Sequence, residues 1–528
     1  MLERRSAFLY FVLVALFVTS AVRLMALSSG SRTAATAQSR LRVEMSLPRG
    51  VIYDCNLNRL TNEETRAVAA VPPTAEAVAA LRASLSPDAA AAAEKRLADG
   101  FPVLVTVPGD FSAHNIPVFQ VYTRYSDEQL AAHIIGYLDG EGKGAAGLEA
   151  GYDDILAPSG KITVSFPSDA RGGALALPPT IEFTEIDPFS GIALTLEKDL
   201  QALAERVSAK YIKSGAVAIL EPSTGKIRAM VSLPGFSPNR VADSLQSSGS
   251  PFINRALSAY NVGSVFKLCV AAAALETGAL ETFQAHCNGI MTFADRTFAC
   301  MNQKAHGDVQ MVDALVQSCN IYFINLGQKI GADPIYTLAH SLGFGQSRRI
   351  ANGILPDAGV LTDVGILRDQ PSALANFSFG QGDLLATPLQ IACMVASIAD
   401  GGKSRFPTLL EGMVDSDGKL TKTSPEAPAM VLREATALRL KDIMIRVVES
   451  GSGKNAQPET GGAGGKTGTA ETGWIKDGRK ISQAWFAGFY PAEEPKYSIA
   501  VIMEDGVSGG SSAAPVFKEI ADGIADLY

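Results

Sequence analysis

The chain has 528 residues, 47% of them apolar and 19% charged, with a net charge of −8. Its length exceeds one ordinary core and predicts two or three domains, and its composition excludes wholesale disorder. With no long basic block there is no reason to expect a nucleic-acid partner, and six cysteines are too few for a disulfide scaffold.

After MLERR, the run SAFLYFVLVALFVTSAV supplies ~17 uncharged residues, near the lower limit for a helix crossing a bilayer. Its residues are apolar all round, unlike a surface helix, and Arg4 and Arg5 before it predict a cytoplasmic N-terminus with the remainder outside. A cleaved signal peptide is the competing reading, but no clean small-x-small site precedes Arg23. Residues 1–30 are therefore expected to be an uncleaved, single-pass anchor in the cytoplasmic membrane. Residues 28–47, polar and small, predict a tether.

GVIYD, residues 50–54, predicts a short β-run entering an Asn-rich turn. The Ala-rich stretch 74–100 predicts one or two surface helices broken at Pro87. The turn-dense residues 133–160 predict loops and short strands. Near residue 190 the texture changes. A helix is predicted from about Lys198 to Lys210, followed by strands GAVAILEP and KIRAMVSL around the turn residues Ser-Thr-Gly. AWFAGFYP and YSIAVIME predict a second hairpin, and AAPVFKEIADGIADLY a closing helix. Strands at both ends with helices between them predict one antiparallel sheet packed against helices, an α+β domain over 191–528, with 31–190 as a separate N-terminal region.

Three short motifs carry chemistry. Ser264 and Lys267 form S-x-x-K at the head of the apolar helix FKLCVAAAALE, where both side chains share one face. Burial lowers a lysine pKa, and a neutral amine beside a hydroxyl is a general base beside a nucleophile. The plainer alternative is a helix-capping serine with a snorkelling lysine. S-x-x-K also occurs at Ser223–Lys226 and Ser416–Lys419, but in turns, where a lysine stays solvated. Ser318-Cys319-Asn320 can point a hydroxyl and an amide into a cleft if its backbone is not yet helical. Lys466-Thr467-Gly468, read as a strand entered through glycines, sends Lys466 and Gly468 to one face and Thr467 and Thr469 to the other. Gly468 then admits a second backbone. None is specific alone; in this order they form the S-x-x-K, S-x-N, K-T-G constellation of penicillin-binding proteins and class A β-lactamases.

On these motifs the chain resembles the class B penicillin-binding proteins, bitopic peptidoglycan D,D-transpeptidases. PRGVIYD, GLEAGYDDIL, FGQGDLLATPLQ, GKTGTAE and AWFAGFYP are similar to family segments along nearly the whole chain. Val262 and Val265 depart from the family's Y-x-P-G-S-T-F-K, which puts the rigidity of the turn before Ser264 in question. The resemblance implies a transpeptidase domain of the penicillin-binding and serine β-lactamase type, above a non-catalytic pedestal. It implies Ser264 as nucleophile, Lys267 as its base kept neutral by burial and a positive Lys466, Ser318 as proton donor and Asn320 as orienting group. Lys466, Thr467, Gly468 and Thr469 would bind the substrate carboxylate, and the N–H groups of Ser264 and Thr469 would form the oxyanion hole. Implied partners are stem peptides, β-lactams, the membrane and a polytopic glycosyltransferase. No cofactor and no metal are expected.

A D,D-carboxypeptidase, a β-lactamase, a β-lactam sensor or a weakly active scaffold would share this pattern. A nucleophile elbow at Gly506–Gly510 is excluded, because all five histidines precede Ser508 and that fold needs one after it. Cys269 and Cys319 are expected as small apolar residues in helices. Cys287 and Cys300, flanking a presumed loop, are expected as a disulfide, with a metal site at His286 or His306 short of ligands.

Overall fold

A computed structural model describes residues 2–38, 40–158, 160–169, 171–175, 177–184, 187, 189–278, 282–293, 296–476 and 479–528. The chain divides into two compact units of interleaved segments. The first comprises Met1–Arg49, Asn62–Arg124 and Pro158–Pro188; the second comprises Gly50–Thr61, Tyr125–Ala157 and Phe189–Tyr528.

In the first unit an N-terminal helix runs from Leu2 to Gln38, so part of the expected tether is helical, and Arg40–Ser46 within it is strand. Within the helix, Ser6–Ala26 is long and apolar enough to cross a membrane. Two three-stranded antiparallel sheets follow, one of Arg40–Ser46, Lys161–Pro167 and Thr180–Phe183, the other of Val103–Val107, Thr65–Val71 and Val118–Tyr122. The Ala-rich stretch forms two helices, Ala75–Ser84 and Pro87–Leu97. Pro87 opens the second instead of breaking one: its missing N–H costs nothing at a first helical position, and the Ser86 hydroxyl accepts from Ala89 N.

The second unit is built on α1 (Lys198–Tyr211), β1 (Gly215–Glu221), β2 (Lys226–Leu233), α2 (Lys267–Glu276), α3 (Asn320–Ile330), α4 (Pro388–Ala399), α5 (Glu434–Ser450), β3 (Gly464–Lys476), β4 (Arg479–Tyr490), β5 (Tyr497–Met503) and α6 (Ala514–Leu527). Its five-stranded sheet lies in the order β2-β1-β5-β4-β3, each pair antiparallel. Period-two alternation splits the strand side chains between two cores. Val217, Ile219, Val231, Phe486, Ile499 and Val501 pack under α1 and α6. Ala216, Ala218, Trp485, Ala487, Ala500 and Ile502 face the other way, toward α2 and α4. Alanines dominate that side, which lets α4 lie close: Ser498 Oγ donates to Ala392 O at 2.5 Å.

Two segments expected to belong with the N-terminal region fold into this second unit. Val51–Tyr53 pairs in parallel with Gly191–Leu194. Asp54, fully buried, accepts at Oδ1 from the amides of Asn56 and Asn58, and at Oδ2 from Asn58 Nδ2 and from Lys198 N, which opens α1. Residues 133–160 give short helices Ala132–Ile135, Gly147–Gly151 and Asp153–Leu156 in place of the expected strands. A Cβ at Gly151 would stand 2.1 Å from Asn352 O, so GLEAGYDDIL is moulded to the transpeptidase-like unit by backbone contact.

Candidate active site

The nucleophile candidate sits on a 3-10 turn, Gly263–Phe266, that runs directly into α2. No side chain caps either helix start, so Ser264 is not a capping serine. The turn is pinned on three sides. Gly263, at φ +63°, donates its N–H to Gly380 O at 2.8 Å, and a Cβ there would stand 2.8 Å from Thr469 O. Trp485 Nε1 of β4 donates to Asn261 O at 2.8 Å. Val262 and Val265, the two departures from the family pattern, are both fully buried. Val265 Cγ2 lies 2.9 Å from where a Cβ on Gly468 would be, with Val262 O at 3.1 Å. Gly468 therefore admits a second backbone, as its lack of a side chain suggested.

Ser318 stands at φ +57°, a left-handed position between helix Met311–Val316 and α3. That turn keeps Ser318 and Asn320 out of a continuous helix and aims both into the same cleft as Ser264, Thr467 and Thr469, a space of about 950 Å³. Beneath the cleft lie Lys267 and Lys466, both with no exposure. Lys267 Nζ donates to Asn320 Oδ1 at 2.6 Å, to Ser318 O at 2.9 Å and to Ser318 Oγ at 3.3 Å. Lys466 Nζ donates to Ser318 Oγ at 3.0 Å and to Thr467 O at 3.0 Å. One hydroxyl thus bridges two buried amines. Among the described residues Lys267 meets Ser264 only through the backbone, its N–H donating to Ser264 O; no hydrogen bond joins the Ser264 hydroxyl to Lys267 Nζ, and the amine–hydroxyl contact is made by Ser318 instead.

Desolvation lowers Lys267 to about 7, opposed by the nearby Cys319 and Cys300. Lys466 is also driven well below its ordinary value, first by burial and then by the charge of Lys267. Burial is thus the main cause of a lowered amine at both positions. Lys267 also lies 5.5 Å from the face of Phe323, and the two amines share Ser318 Oγ as an acceptor.

Sequence reasoning missed the loop after β5. Gly509 N donates to Thr469 Oγ1 at 3.2 Å, and Ser508 and Gly510 line the cleft. It also missed Ser452, whose hydroxyl meets Thr467 Oγ1 at 2.9 Å. A Cβ on Gly509 would stand 2.2 Å from Trp485 O and 2.4 Å from Gly468 O, both backbone. Gly509→Ala is accordingly expected to cost about 1–3 kcal/mol, read as a lowered denaturation midpoint; an unchanged midpoint would show that the loop does not brace β3.

The second cysteine expectation also changes. Cys287 and Cys300 do come together, with sulfurs 3.7 Å apart, but all six cysteines are free. The presumed loop between them is a hairpin, Ile290–Phe293 with Arg296–Ala299, whose tip residues 294–295 lie outside the described residues. Cys319 is not a filler inside a helix: it caps α3, its sulfur accepting from Tyr322 N at 3.4 Å.

A sheet between helical layers, with a serine turn, a bridging serine and a K-T-G edge strand at one cleft, defines the class of serine-dependent, penicillin-interacting folds. The chain belongs to the penicillin-binding protein transpeptidase family, in class B: the penicillin binding protein transpeptidase domain matches residues 215–522. It is 31% identical over 415 residues to Stage V sporulation protein D of Bacillus subtilis, covering 75% of this chain and 62% of that protein. It is 31% identical over 446 residues to peptidoglycan D,D-transpeptidase PbpA of Mycolicibacterium smegmatis, covering 78% of this chain and 86% of the relative. Penicillin-binding protein A of Mycobacterium tuberculosis, solved as a ceftriaxone acyl-enzyme complex, matches with a TM-score of 0.66 at 25% identity over 90% of this chain and 98% of that one.

Proposed function

We propose that this protein is a peptidoglycan D,D-transpeptidase held by its N-terminal helix in the cytoplasmic membrane, with the second unit and the rest of the first outside. The observation that carries the reading is the Ser318 hydroxyl bridging Lys267 and Lys466 in the cleft that holds Ser264. Ser264 Oγ attacks the carbonyl of the penultimate D-alanine of a stem peptide, and neutral Lys267 takes its proton. The amides of Ser264 and Thr469 stabilise the oxyanion, the two segments being held in contact at Gly263. With both lone pairs of Ser318 facing lysine donors, its own proton is free to pass to the departing amine. Thr467 and Thr469, with Lys466 beneath them, receive the terminal carboxylate, and Gly468 keeps the strand flush with the serine turn. An amine of a neighbouring stem then attacks the acyl-enzyme and completes the cross-link. The relatives' names and the ceftriaxone complex support both this substrate class and covalent β-lactam binding. A polytopic glycosyltransferase would supply the glycan strands.

Fluorescent penicillin tests the reading. The wild type is expected to give a long-lived adduct and Ser264→Ala none. Rapid loss of the label would indicate a β-lactamase, and release of D-alanine from lipid-linked substrate without cross-links a carboxypeptidase.

A further inference from the structure

We propose that Cys287, Cys300, His306 and Cys319 bind one Zn²⁺ against the floor of the active-site cleft. Their four donor atoms, three Sγ and Nδ1 of His306, all lie within 4.8 Å of one another. Three parts of the fold deliver them. Strand Ala285–Cys287 pairs with Gly307–Val309, which sets His306 beside Cys287. Cys300 follows the hairpin strand Arg296–Ala299, and Cys319 sits between Ser318 and Asn320.

All six spacings are within 4.8 Å, and three of them match the edges of a zinc tetrahedron. Zinc bonds of about 2.3 Å to sulfur and about 2.0 Å to nitrogen require edges of about 3.8 Å between sulfurs and about 3.5 Å from sulfur to nitrogen. Cys287 and Cys300 are 3.7 Å apart, Cys300 and Cys319 3.8 Å, and Cys287 Sγ stands 3.3 Å from His306 Nδ1. Backbone amides donate to two of the three sulfurs, from Gly289 to Cys287 and from Tyr322 to Cys319. Amide donors suit thiolates. The three cysteines are buried and His306 is half-buried at the cleft wall. Three sulfurs are an odd number, so any disulfide among them strands a thiol and leaves the imidazole without a role.

Binding balances as Zn²⁺ plus three thiols and a neutral imidazole giving a four-coordinate complex of charge −1 and three released protons. With four protein donors the site is closed, hence structural. It ties the middle residue of the S-x-N motif to the 300 loop, an attachment that Asn320 Nδ2 repeats by donating to Ala299 O at 2.8 Å. The four residues are thereby positioning residues for Ser318 and Asn320.

The test uses the full chain in detergent, purified without chelator, with zinc measured by elemental mass spectrometry. About one zinc per chain is expected, and Co²⁺ added to chelator-stripped protein should give the thiolate charge-transfer and intense d–d bands of a tetrahedral thiolate site. Cys287→Ser is expected to weaken zinc binding by at least about a hundredfold, and Cys55→Ser to leave it unchanged. The cobalt spectrum of the wild type decides the matter even if Cys287→Ser fails to fold. Wild-type protein that takes up neither metal, or peptide maps showing a disulfide among Cys287, Cys300 and Cys319 in most chains, would overturn the proposal. Penicillin labelling of the same samples reads the transpeptidase assignment separately, so the two can fail independently.

Discussion

Lys267→Met is expected to slow acylation of Ser264 by a β-lactam about a thousandfold, and Lys267→Arg by as much. A guanidinium stays charged at every working pH, so arginine restores bulk but not basicity. In the wild type the amine accepts a proton only when neutral. With Lys267 at about 7, the acylation rate should climb from pH 5.5 through about 7 and level off above it. Stopped-flow acylation across this range is the measurement; a flat profile, or a methionine variant that acylates at the wild-type rate, would assign the base elsewhere. The same shift has a linked effect on stability. The native state binds fewer protons at Lys267 than the unfolded chain does, so stability rises with pH from about 7 toward 10.5. Lys267→Met should remove Lys267's contribution to that rise.

Lys466→Met is expected to separate stability from activity. An amine with no exposure, repelled by a second amine across a shared hydroxyl, is poorly compensated. Replacing such a group with an apolar side chain of similar length is often stabilising by about 1–4 kcal/mol. The variant should therefore denature later while acylating about a hundredfold slower, since in the proposed mechanism Lys466 anchors the carboxylate and pairs with Ser318 in proton relay. A variant less stable than wild type would mean that the Thr467 carbonyl and Ser318 hydroxyl left behind cost more than the amine did.

The sheet was legible because its strands obey period two and are long enough to show it, as Ala216, Ala218 and Leu220 against Val217 and Ile219 illustrate. The three motifs were legible because each is contiguous. Their mutual arrangement was not: that the hydroxyl of Ser318, and not that of Ser264, takes the lysine amine hydrogen bonds depends on a left-handed backbone at one residue, which no side-chain pattern announces. The cysteine group was half legible. Cys287 and Cys300 read as neighbours across a short loop, but Cys319 looked like filler beside apolar residues, and only the packing of α3 on the hairpin shows its company. The interleaving of units was hidden for a similar reason: Val51–Tyr53 finds its partner strand at Gly191–Leu194, and a three-residue strand carries too little pattern to name a partner.

One register pair, Val217 with Val501, governs how this unit comes into being. The central strands meet only after nearly all of the intervening polypeptide has been made, so loop closure must precede most of the reward, and topologies of this kind fold slowly. Until that moment the alanine-rich side of the sheet cannot cover α2, and both amines remain hydrated and fully charged. A nascent chain is thus chemically silent until its final strands and helix have emerged, and truncation before residue 497 should release a protein with every named motif present but no working nucleophile.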